Sequence, residues 1–90
     1  LEYMMDKVGQ EFDGIINGIT TFGFFVELEN TVEGLVRVEN LKDDYYIYNE
    51  KMHCLVGEHT GKVYRFGDKV RVMIDKIDLD EREIDFLLLE

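Results

Sequence analysis

The sequence predicts a mainly β fold: a small closed barrel of five strands with one inserted segment. Two observations carry that reading. Apolar residues recur mostly with a period near two, and glycines fall inside the apolar runs, where a tightly curved sheet needs bends and bulges. The chain has no proline, and its ninety residues can close one compact core without room for a second, so residues 1–90 are read as a single domain.

Taken in order, Leu1 to Val8 reads as a short helix that packs Tyr3, Met4 and Met5 on the barrel and ends near Gly9. The first strand runs from about Gln10 to Ile19 and is interrupted by Gly14 and Gly18. The second runs from about Phe22 to Leu28. After the polar turn Glu29-Asn30-Thr31, Glu33 to Val38 forms the third, and the three make a meander. The following segment is the least regular. It carries Asp43-Asp44, then Tyr45, Tyr46 and Tyr48, then Gly57 and Gly61 around a turn, and is read as an insertion of about 42–66 containing a small hairpin. From Asp68 to Ile77 the alternation is clean, with Val70, Val72 and Ile74 inward and Arg71, Met73 and Asp75 outward. Ile84, Phe86 and Leu88 repeat it after the turn Asp80-Glu81-Arg82. Phe24 and Phe86 are assigned to the core. Five strands, glycine kinks and a long connection between the third and fourth suit the Greek-key barrel called the OB-fold, whose central strands commonly face oligonucleotides. The pattern alone also admits an SH3-like barrel.

Composition narrows the function classes. No apolar stretch approaches the roughly 18 residues of a membrane span, and no charged leader precedes an apolar run, so a soluble protein without membrane partners is expected. Cys54 is the only cysteine, which removes an internal disulfide and fits a cytoplasmic setting. The chain opens at Leu1, and Leu89-Glu90 reads either as native sequence or as a remnant, so both ends are taken as boundaries of a piece of a larger protein. The formal net charge of -10 opposes binding to phosphates, which is driven by Lys and Arg. The charge is uneven, however. Residues 1–45 hold ten acids against three bases, whereas residues 62–76 hold Lys62, Arg65, Lys69, Arg71 and Lys76 against Asp68 and Asp75.

The stretch from Gly14 through Phe22-Gly23-Phe24-Phe25-Val26-Glu27-Leu28, followed by Glu33-Gly34-Leu35-Val36 and by Gly67-Asp68-Lys69-Val70-Arg71-Val72, resembles the S1 domain signature over roughly residues 9–88. The insertion with Asp43-Asp44-Tyr45-Tyr46 and Leu55 to Asp68, together with Asp80 to Phe86, is similar to the S1 domains of the bacterial ribonuclease R family. That resemblance implies an accessory domain near the C-terminus of a processive 3'-to-5' exoribonuclease. It would feed single-stranded RNA to a catalytic domain of the same parent chain, where magnesium-binding carboxylates lie. The chain itself is then no enzyme, needs no cofactor and is expected to be a monomer.

A sequence-tolerant single-strand binder needs exposed aromatic faces flanked by cations. Phe22 and Phe25 match the family's stacking positions. Phe25 shares a strand face with Glu27, opposite Phe24, Val26 and Leu28; the competing reading is that both phenylalanines are core. Arg37, at a position where many members carry His, is placed to meet a phosphate or a base, or is plain surface charge. Lys69 and Arg71, with Lys62 and Arg65 in the preceding loop, are candidate backbone contacts or solvated cations. In the last turn Asp80, with Asp78 as the alternative, takes the family's acidic position, and Glu83 stands where the family often has a base. Tyr45, Tyr46, Tyr48 and Tyr64 are expected to pack the insertion against the barrel in preference to extending the stacking surface. His53, Cys54 and His59 lack a fourth ligand at zinc spacing, and Asp75, Asp78, Asp80 and Glu81 read as a solvated turn with no cation-loop glycine. No nucleophile with its base is evident. The competing function, favoured by the acidity and by Glu83, is a protein-interaction barrel with little RNA affinity.

Overall fold

In the computed structural model, which describes residues 2–89, a 3-10 helix at Glu2–Lys7 precedes eight strands. These are β1 (Glu11–Ile19), β2 (Gly23–Leu28), β3 (Glu33–Arg37), β4 (Tyr46–Asn49), β5 (Cys54–Gly57), β6 (Val63–Arg65), β7 (Lys69–Asp78) and β8 (Glu83–Leu88), with a further 3-10 turn at Val38–Asn40. Strands β1, β2, β3, β8 and β7 close on one another in that order. All their pairings are antiparallel except β3 with β8, which run parallel and meet at Leu35 and Asp85. This is the five-stranded OB-fold barrel, and it settles the choice against the SH3-like alternative.

The alternation of the sequence explains the interior. Ile16, Phe24, Val26, Val36, Val72, Ile74 and Phe86 are completely buried, and Val70 and Ile84 nearly so. Gly34 sits where β3 meets β8 because a side chain would not fit: a Cβ there would stand 2.7 Å from the Phe86 ring. Gly23 answers a different need, since a Cβ would collide with the Val36 carbonyl across the β2–β3 pair. Met4 of the N-terminal helix is buried whereas Met5 is half exposed, so only one of the two packs as expected. Leu1 and the Tyr3 side chain lie outside the described residues. The helix is tied to β7 by Gly9 N donating to the Ile74 carbonyl at 2.8 Å.

Residues 42–66 build more than a hairpin. Strands β4, β5 and β6 form a three-stranded antiparallel sheet, and its inner face joins the barrel core. Tyr46, Leu55 and Tyr64 belong to the same buried cluster as Phe24, with the Phe24 and Tyr64 rings stacked at 5.0 Å and Tyr46 tilted on Tyr64 at 5.3 Å. Such ring pairs add about 0.5–1.5 kcal/mol beyond area burial. The packing role expected of the tyrosines therefore holds for Tyr46 and Tyr64, while Tyr48 is half-buried and Tyr45 is exposed. Burial and a hydrogen bond donated to Asp43 at 3.0 Å push the Tyr46 phenol well above its ordinary range. Asp44 pins the sheet's end. Its carboxylate accepts from the backbone N–H of Tyr45, His59 and Thr60 and from the Thr60 hydroxyl, and these bonds, Thr60 N–H foremost, hold its carboxyl far below the usual range. Arg65 belongs to β6, not to the loop in which the sequence placed it.

Candidate nucleic-acid interface

Two bulges decide what the outer face of the barrel presents. On β1 the register moves from Ile16 opposite Val26 to Gly18 opposite Phe25, so Asn17 is the extra residue. On β7 it moves from Ile74 opposite Phe86 to Lys76 opposite Asp85, so Asp75 is the extra residue. Each insertion reverses the in-out phase of its strand. Strict alternation from Ile74 would drive Lys76 into the core; the bulge turns it to solvent and sends Ile77 inward, opposite Ile84.

The result is one row of cross-strand neighbours around all five strands: Gly18, Phe25, Leu35, Asp85 and Lys76. Phe25 is half-buried, flanked on one side by the bare backbone of Gly18. Leu35 is 8% exposed but stands outside the main core cluster. It lies on the outer face beside Phe25 and shares that face with Arg37, two residues along the same strand. Phe22 is 50% exposed, as a stacking platform requires, although it precedes β2 instead of starting it. The turn is set by Thr20, whose Oγ1 donates to the Gly23 carbonyl at 2.9 Å and accepts from Phe22 N–H at 3.2 Å. The Phe22 carbonyl then accepts from Val38 N–H, and Gly23 pairs with Arg37, so Phe22 and Arg37 are neighbours across the β2–β3 pair, a short step along it from Phe25 and Leu35.

Arg37 is not a lone surface cation. Its guanidinium lies 3.5 Å from Asp85 Oδ1, while Lys76 Nζ lies 3.6 Å from Asp85 Oδ2. Asp85 is the one buried charged residue of the chain's described core and surface, at 7% exposure. A groove of about 580 Å³ beside these three is lined also by Asp78, Asp80 and Glu83. Asp80 is thus brought to Arg37, whereas Asp78 has a local duty as well, accepting from Glu81 N–H at 3.1 Å in the turn.

Lys69 and Arg71 stand elsewhere. They project from β7 beside β1, with Lys69 opposite Ile15 and Arg71 opposite Asp13. The next row along β2 and β3 holds Glu27 opposite Glu33, with Asn17 Nδ2 donating to Glu33 at 2.6 Å, so acidic side chains separate this pair from Phe25. Arg71 is held by Asp13 at 3.0 Å and Glu11 at 3.6 Å, and the bond to Asp13 raises its already high pKa. Sequence reasoning missed Asp85, and counted Lys76 only as part of a basic strip. Among the described residues no group of three or more His, Cys, Asp or Glu could hold a metal ion, and no helix is long and apolar enough to cross a membrane.

Fold and face together define an OB-fold barrel of the kind whose central strands present aromatic rings beside cations. The S1 RNA binding domain family matches residues 5–88, and the chain belongs to it. The chain is 51% identical over 89 residues to ribonuclease R of Aquifex aeolicus, covering 98% of this chain and 13% of that protein. It is 48% identical to ribonuclease R of Vibrio cholerae, covering 99% and 11% respectively. Among solved structures it superposes on Mycoplasma genitalium RNase R with a TM-score of 0.92 at 30% identity, over 97% of this chain and 14% of that one. The same relative has been solved with ribose-methylated single-stranded RNA. The chain therefore spans roughly a tenth to a seventh of the length of these relatives.

Proposed function

We propose that this chain is a single-stranded RNA-binding module, residues 9–88 with the 42–66 sheet inserted, of a ribonuclease R-like 3'-to-5' exoribonuclease. The observation that carries the reading is the outward Phe25, with half-exposed Phe22 and Arg37 beside it along the β2–β3 pair. Bases stack on the two rings, Arg37 meets a phosphate or a base edge, and Asp80 accepts from the strand along the groove. Lys69 and Arg71 serve as a secondary flank for the RNA backbone. Two stacked bases at roughly 1–3 kcal/mol each give a dissociation constant of about tens of millimolar to tens of micromolar. The catalytic step, with its magnesium, belongs to another domain of the parent chain, in the cytoplasm, and this module is monomeric by itself. In a longer chain, effective concentration multiplies such weak affinity.

The test is a titration of the isotope-labelled chain with a short single-stranded RNA at low and higher salt, following backbone amide signals. Shifts should cluster at Phe22, Phe25 and Arg37, weaken with salt and vanish in Phe25→Ala. A flat titration at low salt would overturn the reading and favour protein docking, the role that the acidic composition suits best.

A further inference from the structure

Resting on the RNA-binding reading of this face, we infer that Asp85 is a built-in phosphate mimic that limits how tightly the face holds RNA. Its carboxylate occupies the gap between Arg37 and Lys76, giving one oxygen to each cation. A phosphate diester, whose single negative charge is shared by two non-bridging oxygens as a carboxylate's is, would use the same two partners. The backbone position is fixed by the fold: Asp85 is the point where β8 meets Leu35 of β3, between the buried Ile84 and Phe86.

Two features make the contact a brake that yields. The distances of 3.5 and 3.6 Å exceed the 2.7–2.9 Å of a tight charge-assisted bond, so the cations are held loosely. Lys76 is also 73% exposed along its side chain and Arg37 34%, which lets both turn outward to a strand lying over Phe25. The carboxylate left behind is 10% exposed, and it opposes that exchange because a poorly solvated charge loses its partners. RNA binding through stacking is thereby retained while the electrostatic share is held down.

Asp85→Asn keeps the shape and removes the charge. For single strands each phosphate neutralised steepens the salt dependence of log K by about 0.7. Releasing two cations should therefore steepen the slope by up to about 1.4, an extra loss of about sevenfold in affinity between 50 and 200 mM salt, with tighter binding at the low end. Anisotropy of a labelled single-stranded oligoribonucleotide over that range reads both, and Arg37→Gln added to Asp85→Asn should take back about half of the gain in slope. An unchanged or shallower slope in Asp85→Asn, with wild type binding normally, overturns this inference alone; a flat titration for both chains overturns the RNA reading beneath it. A measurement on the wild type needs no variant to fold: because Asp85 keeps most of its hold on Arg37 and Lys76 in the complex, its side-chain carboxyl carbon signal should move only slightly on saturation with RNA, and a large shift, showing that both cations leave it for the strand, overturns the brake.

Discussion

Replacing Gly34 with alanine tests the closure of the barrel and, through it, the row that crosses the seam. The added Cβ would meet three atoms of the Phe86 ring at 2.7, 2.8 and 2.9 Å, whereas ordinary contact begins near 3.4 Å. The ring would have to retreat by about 0.5–0.7 Å, the difference between those contacts. It has nowhere to go: Phe86 is completely buried, and its backbone is paired opposite Ile74. Overpacking of this kind costs roughly 1–3 kcal/mol, and replacing a strand glycine returns about 0.5–1 kcal/mol through the unfolded chain. The net loss centres on about 1 kcal/mol within a range of roughly 0–2.5 kcal/mol, and in a domain of this size each kcal/mol lowers Tm by roughly 4–8 °C. Urea denaturation followed by circular dichroism would measure it. Phe86→Leu makes room, so the double variant should be less destabilised than the sum of the single ones by at least about 0.5 kcal/mol. Wild-type stability for Gly34→Ala, or additivity in the pair, would refute the argument that the ring and the glycine compete for one space.

Four further outcomes follow from particular contacts. Phe22→Ala should weaken binding of single-stranded RNA about five- to hundredfold, from loss of one stacked base, while changing stability by no more than about 0.5 kcal/mol because the ring is half exposed. Arg71→Gln should cost less RNA affinity than Arg37→Gln in the same anisotropy assay, since Asp13 and Glu11 already hold Arg71. Asp44 has a folded pKa lowered by its bonds from Thr60, Tyr45 and His59. Its contribution is complete above the unfolded value of about 3.9 and is lost as pH falls from there toward the folded one; urea midpoints between about pH 5 and 2 should therefore decline less steeply in Asp44→Asn. Thr31 adopts φ +69°, a region that β-branched residues disfavour, so Thr31→Asn should raise the urea midpoint by about 0.5–1 kcal/mol equivalent.

The barrel was legible because most of its strands keep one phase. Val70, Val72 and Ile74 alternate in sequence and are buried in the structure, and Phe24, Val26 and Leu28 do the same. What stayed hidden sits where phase breaks. Nothing in the residues Ile74-Asp75-Lys76 announces a bulge, because the extra residue is defined by its partner strand and not by its own side chain. Lys76 therefore reads as an inward misfit or a member of a diffuse basic strip. Asp85 was illegible for a related reason: an acid between Ile84 and Phe86 looks like an ordinary outward position, and its burial comes from Leu35, Arg37 and Lys76, which are 9 to 50 residues away in sequence. The extra strand Tyr46–Asn49 was missed because four residues are too few for period to speak. Its tyrosines nevertheless pointed to packing, since a large amphipathic ring in a long connection needs a wall to lie on.

The two bulges also govern which changes in chain length the domain can absorb. Removing Asn17 or Asp75 would erase a bulge and leave every other residue on its present face, because Ile16-Gly18 and Ile74-Lys76 would then alternate as ordinary neighbours, whereas removing a residue elsewhere in either strand would turn the stretch between it and the bulge inside out. Substitutions along β1 and β7 are a matter of local fit, whereas deletions there are a matter of parity. The exposed turn between β5 and β6 is under no such arithmetic and can grow or shrink, as long as Asp44 still finds its amides.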